Sequence, residues 1–122
     1  MKLHLTTSEN NHLMTGYGDD FIEINRKRYT QPLIVLANTL IENWQVANFD
    51  HLNEESFADL IKLGPEVVLL GTGKTHRFLH PALAKNLTEK GIPLECMTTA
   101  AACRTYNILM SEGRNVAAAL IF

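Results

Sequence analysis

Apolar and polar positions divide the chain into two halves with different periods. In the first, short alternating runs dominate. Phe21-Ile22-Glu23-Ile24 and Lys27-Arg28-Tyr29 flank Asn25-Arg26, the pattern of a β-hairpin with a polar tip. The tip cluster Arg26-Lys27-Arg28 reads as a solvated edge that discourages strand-to-strand aggregation, with attraction of an anionic partner as its other reading. Leu33-Ile34-Val35-Leu36 follows Pro32, and Leu40-Ile41-Glu42-Asn43-Trp44 lies across Ala37-Asn38-Thr39, predicting a second hairpin. Residues 1–14 mix polar residues with isolated leucines and predict an edge strand or an irregular lead-in. Trp44 reads as partly buried core rather than as a ligand platform.

The second half, Val67 to Leu120, carries longer apolar elements separated by helical periods, and a first helix leads into it. A helix is predicted from Asn53, whose side chain caps free amides, with Glu54 and Glu55 in the first turn where the helix dipole favours negative charge. Leu52 and Phe57 hold staple positions; Phe57, Leu60 and Ile61 form the apolar stripe, and Gly64-Pro65 ends it. Val67-Val68-Leu69-Leu70 shows no alternation, so it predicts a strand buried on both faces, broken by Gly71-Thr72-Gly73. Pro81 opens a second helix with Leu83 and Leu87 on one face, and Gly91 ends it. Leu94 to Thr98 returns as a strand that a right-handed crossover makes parallel to the first.

Thr98 or Thr99 caps a third helix running to Glu112. Ala102, Tyr106, Leu109 and Met110 recur on its sheet-facing side, while Arg104, Asn107 and Ser111 lie opposite, with Ile108 beside them. Val116 to Ile121 predicts a final interior strand whose alanines let a helix pack closely. The expected fold is a three-layer α/β single domain over residues 1–122, with a central mixed β-sheet, additional β-hairpin structure and about three helices.

Composition narrows the class. At 122 residues, 46% hydrophobic and 20% charged, the chain supports one hydrophobic core. A formal charge of −2 supplies no global basic field for nucleic acid. No run reaches the ~20 apolar residues of a membrane helix, and Met1 to Thr6 lacks the apolar stretch of a secretory signal. Cys96 and Cys103 are too few for a disulfide framework and have no zinc-ligand spacing around them, so a cytoplasmic protein with reduced thiols, no metal and no cofactor is expected.

Candidate chemistry centres on Gly71-Thr72-Gly73-Lys74-Thr75. A phosphate loop of the Walker kind needs a further glycine where Val68 stands, and its lysine-threonine pair opens a helix, which Thr75 to His80 preclude. Topology offers a better site, because ligands in open α/β sheets gather beyond the carboxyl ends of parallel strands. That edge would collect Gly71, Thr72, Gly73, Lys74, His76 and Arg77 from one loop, Thr98 and Thr99 from the next, and Arg104 as added charge. The amino end of the third helix points there. The plainer alternative is that the threonines cap and the cations are solvated. No serine has a nucleophile elbow. Cys103, with His76 or His80 as base, sits beside core-facing Ala102 and Tyr106 and so reads as buried and inert. His4, His12 and His51 show no ligand spacing, and Asp19-Asp20 and Glu54-Glu55 suit a loop and a helix start.

Pro65 to Gly73, then Arg77-Phe78, Gly91-Ile92, and Ala102-Cys103-Arg104-Thr105-Tyr106-Asn107-Ile108-Leu109 with Glu112-Gly113-Arg114, resemble a widespread small-domain family of unknown function named after a methanogen protein. Its relatives include mitochondrial respiratory complex I assembly factors and the adipogenesis-associated domain protein. The resemblance spans nearly the whole chain and implies a compact three-layer fold with a mixed sheet and no established catalytic residue. In relatives an acidic residue commonly precedes the threonine before the last long helix; here that pair is Thr98-Thr99, which removes the candidate base. The resemblance also implies protein-partner contacts.

Together these readings predict a non-catalytic binding or assembly module, open to oligomerisation. Its surface would combine Gly71 to Arg77, Thr98-Thr99 and the Arg104, Asn107, Ile108 side of the last helix. The alternative is a small enzyme or sensor for an anionic metabolite held by Lys74, His76 and Arg104. In a third reading the glycines and the Thr-Tyr-Asn segment serve only the fold, and substitutions there act through abundance.

Overall fold

The computed structural model describes residues 11–122. The expectation of an edge strand or lead-in at 1–14 falls mostly outside them. Within the described residues β1 is Met14–Tyr17, β2 Ile22–Ile24 and β3 Lys27–Tyr29, forming an antiparallel three-stranded sheet in that order. Ile24 pairs with Lys27 across Asn25 and Arg26, whose φ values of 50° and 72° make the tight two-residue turn that matches strand twist.

A second hairpin joins β4 (Leu33–Leu36) to β5 (Thr39–Ile41). Its turn is only Ala37-Asn38, so the second strand begins earlier than expected and ends before Trp44. Trp44 is buried in the core, and its indole Nε1 donates to the Ser56 carbonyl at 2.8 Å, in keeping with its reading as core.

Asn53 caps as predicted, in a reciprocal box with Ser56, but the first turn that follows is a 3-10 helix, Glu54–Phe57, before α1 (Ala58–Leu63). Gly64 ends α1 at φ 60°, in the left-handed region. The strand β6 runs Val67–Thr72, through Gly71 rather than stopping at it. The predicted second helix is likewise split, Pro81–Ala84 being 3-10 and α2 covering only Lys85–Glu89. Next come β7 (Leu94–Met97), α3 (Thr99–Ser111) and β8 (Val116–Ile121). β7 ends one residue before Thr98, which is the one of the two expected threonines that caps α3, accepting from the Ala101 amide.

The central sheet has the order β5-β4-β8-β6-β7, with β6 parallel to both β7 and β8 and β4 antiparallel to β8. Strand alternation sorts its side chains into two cores. Val68, Leu70, Ala117 and Ala119 meet Phe57, Leu60 and Leu87 on the α1/α2 side. Val67, Leu69, Ala118 and Leu120 meet Tyr106, Ala102, Met110 and the β2 isoleucines on the other. Each fully buried Leu or Ile contributes about 1.5–3 kcal/mol relative to exposure. The result is the mixed-sheet, three-layer α/β fold that the pattern predicts.

Candidate functional site

The carboxyl ends of β6 and β7 meet the amino end of α3, and backbone sutures hold them together. The Thr99 amide donates to the Gly73 carbonyl at 2.9 Å, while Thr99 Oγ1 accepts from the Gly73 amide at 2.8 Å and donates to the Ile121 carbonyl. Thr72 Oγ1 lies 2.7 Å from the Thr75 carbonyl and 3.2 Å from that of Met97, and it accepts from the Arg77 amide at 3.1 Å. Both hydroxyls are therefore committed, and both threonines are buried.

Gly71 is buried beneath α3. A Cβ there would stand 3.0 Å from Thr99 Cα and 2.9 Å from a Leu120 methyl, which explains glycine at this strand position. Gly73 turns the chain at φ 100°, a conformation glycine adopts without steric cost.

Beside these sutures opens a cleft of about 440 Å³ lined by Tyr17, Asp19, Gly73, Lys74, Thr98 and Ala100, among others. Of the predicted residues it gathers Gly73, Lys74, Thr98 and Thr99. Lys74 Nζ faces Asp19 Oδ2 at 3.3 Å, so its charge is compensated from the β1–β2 turn. Arg77 points elsewhere: its guanidinium bonds Asp50 at 2.6 Å and stacks on the Phe49 ring at 4.3 Å. That hydrogen bond, reinforced by the positive charge, holds the Asp50 carboxyl below its ordinary range. His76 leans on the Phe78 ring, 4.4 Å between centroids. The four expected cations thus do not converge.

Arg104 is exposed and donates to the Tyr17 hydroxyl at 2.8 Å. Asn107, expected on an open face, is half-buried: its Oδ1 accepts from the Met14 amide at 2.9 Å and its Nδ2 donates to the Met14 carbonyl at 2.8 Å. It substitutes for a neighbouring strand along β1. Tyr106 completes the seam by donating to the His12 carbonyl at 2.7 Å. Ile108 remains 58% exposed.

Tyr17 and Asp19 were not anticipated. Their only sequence signal is the Tyr17-Gly18-Asp19-Asp20 turn, which does not reveal that β1 lies against α3. Cys103 is buried, and desolvation pushes its thiol up to about 12 despite the positive charge of Arg104, so little thiolate forms at neutral pH. Among the described residues, no group of His, Cys, Asp and Glu is arranged to hold a metal ion. Among the described residues lining the cleft, the Thr98 and Thr99 hydroxyls are engaged by backbone groups and Lys74 is paired with Asp19.

This fold and seam define a class. Residues 14–121 match the model of a protein family of unknown function, DUF498/DUF598, and the chain belongs to that family. It is 38% identical over 108 residues to the NADH dehydrogenase [ubiquinone] 1 alpha subcomplex assembly factor 3 of Mus musculus, covering 87% of this chain but 58% of that protein. It is also 30% identical over 99 residues to a 13 kDa major membrane protein of Francisella tularensis subsp. holarctica (strain LVS), covering 80% of each. A crystal structure of a Bordetella parapertussis protein superposes with a TM-score of 0.87 at 35% identity, over 93% of this chain and 98% of that one. Among the described residues no helix is long and apolar enough to cross a membrane.

Proposed function

We propose that this chain is a cytoplasmic, non-catalytic binding or assembly module that works through protein contacts. The observation that carries the reading is the contrast on α3. Thr99, Tyr106 and Asn107 are tied into the fold, whereas Ile108 presents an apolar side chain to solvent one turn from exposed Arg104. An exposed branched aliphatic beside arginine suits a protein interface better than a reaction centre. The assembly-factor names of relatives support the same direction.

Arg104→Glu combined with Ile108→Asp should leave the melting temperature within a few degrees, as surface changes do. It should also remove at least one protein from complexes captured on the tagged chain, quantified by mass spectrometry. Every complex recovered unchanged would count against the proposal.

The cleft favours a second reading, a small enzyme or sensor for an anionic metabolite. Lys74 stands at the amino end of α3, where peptide dipoles favour negative charge. Its pairing with Asp19 weakens that case, since an incoming anion must displace a carboxylate.

A further inference from the structure

The central sheet ends at β7, and among the described residues no strand covers its outer side. The Val68 amide donates to the Pro93 carbonyl. Alternation along a parallel ladder therefore turns the Glu95 backbone towards β6 and the Leu94 and Cys96 backbones outwards. Two residues thus offer both N–H and C=O groups to an added strand.

Beside this edge, on the α2 side of the sheet, Phe78, Leu79, Pro81, Ala84, Leu94 and Cys96 line most of an apolar groove of about 370 Å³. Phe78, 81% exposed and braced by His76, forms part of its wall. Glu95 points to the opposite face, exposed, and makes no ion pair among the described residues.

We infer that the β7 edge and its groove accept, in antiparallel pairing, an extended segment of a partner protein in which apolar residues alternate with a basic one, so that the apolar residues opposite Leu94 and Cys96 exchange the main-chain bonds. Strand addition supplies the affinity through main-chain bonds. Residues opposite Leu94 and Cys96 enter the groove, and the residue between them lies across from Glu95, where a lysine or arginine is favoured. A second copy of this chain fits poorly. In the antiparallel register that uses both Leu94 and Cys96, Glu95 would face its own counterpart, and like charges directly opposite destabilise a pair. The same carboxylate therefore discourages self-pairing and selects a basic guest.

The inference rests on the protein-contact reading of function but uses a different surface, so the two fail separately. Unchanged complexes in the Arg104→Glu, Ile108→Asp chain would overturn the α3 surface alone.

The test is titration of a capped heptapeptide alternating valine and lysine into the isotope-labelled full chain, followed by amide NMR. Saturable binding is expected, with the largest shifts at Leu94 to Met97 and along Phe78 to Ala84. N-methylation of the valines should abolish it. A valine-glutamate peptide should bind about fivefold more weakly, and Glu95→Lys should reverse that order. Phe78→Ser, at an exposed position that leaves the fold intact, should weaken both peptides. The inference is overturned by absence of saturable binding, by binding indifferent to N-methylation, or by an unchanged order in Glu95→Lys. Concentration-dependent dimerisation that shifts the same β7 amides would also overturn it, because a second copy would then fill the edge.

Discussion

Thr99→Val should lower the stability of the fold by about 2–4 kcal/mol, although it keeps the branching of the side chain and nearly its shape. The reason is bookkeeping at the β6–α3 seam. The threonine hydroxyl is acceptor for the Gly73 amide and donor to the Ile121 carbonyl, in a buried position. Valine leaves both backbone groups without that partner, and each unsatisfied buried group costs about 1–3 kcal/mol. For a chain of this size the melting temperature should fall by roughly 8–15 °C. Thr99→Ser, which keeps the hydroxyl, should lose far less. Thr98→Val, which removes only the bond to the Ala101 amide, should cost about 1 kcal/mol. Thermal and urea unfolding of the three variants separates the cases. A valine variant melting within two or three degrees of the parent would show that the Thr99 hydroxyl is not structural.

Gly71→Ala is expected to cost about 1–3 kcal/mol through overpacking. Leu120 can swing a methyl away from the new Cβ, but Thr99 Cα is backbone, so relief requires the start of α3 to lift from the sheet. That displacement would stretch the same Thr99 bonds. Gly71→Ala and Thr99→Val should therefore be less than additive together, as expected for residues sharing a contact. Gly16→Ala is the control, because its Cβ would meet Glu23 only at ordinary distances of 3.5 Å or more. It should change stability by less than ~0.5 kcal/mol. Equal losses at Gly71 and Gly16 would contradict the close-approach explanation.

These two positions also show where sequence reasoning stops. The Val67–Leu70 run and the alanines of Val116–Ile121 lack alternation because both faces of their strands are covered, and that is legible in one dimension. Asn25-Arg26 between alternating strands is legible for the same local reason. Gly71 carries the signal of a strand breaker, since nothing local distinguishes a glycine that bends the chain from one that admits a helix from above.

The candidate site was legible in part for a similar cause. Topology places Gly73, Lys74, Thr98 and Thr99 around one cleft. Where each cation points depends on partners far away in sequence: Asp19 for Lys74, Asp50 for Arg77 and Tyr17 for Arg104. Asn107 illustrates the point most sharply. Helical periodicity places it opposite the sheet-facing stripe, but its amide is engaged by β1, a strand that the lead-in composition did not reveal.

On the proposed reading, the seam between β6, β7 and α3 maintains the fold and function resides in protein contacts. The most direct test is a thermal-shift panel of anionic metabolites on the purified chain and on Lys74→Ala. A cleft ligand at 100 times its dissociation constant would add about 2.7 kcal/mol, a shift of several degrees. No saturable shift is expected in either protein. A saturable rise of several degrees in the parent, lost in Lys74→Ala, would contradict that reading and establish the cleft as a ligand site.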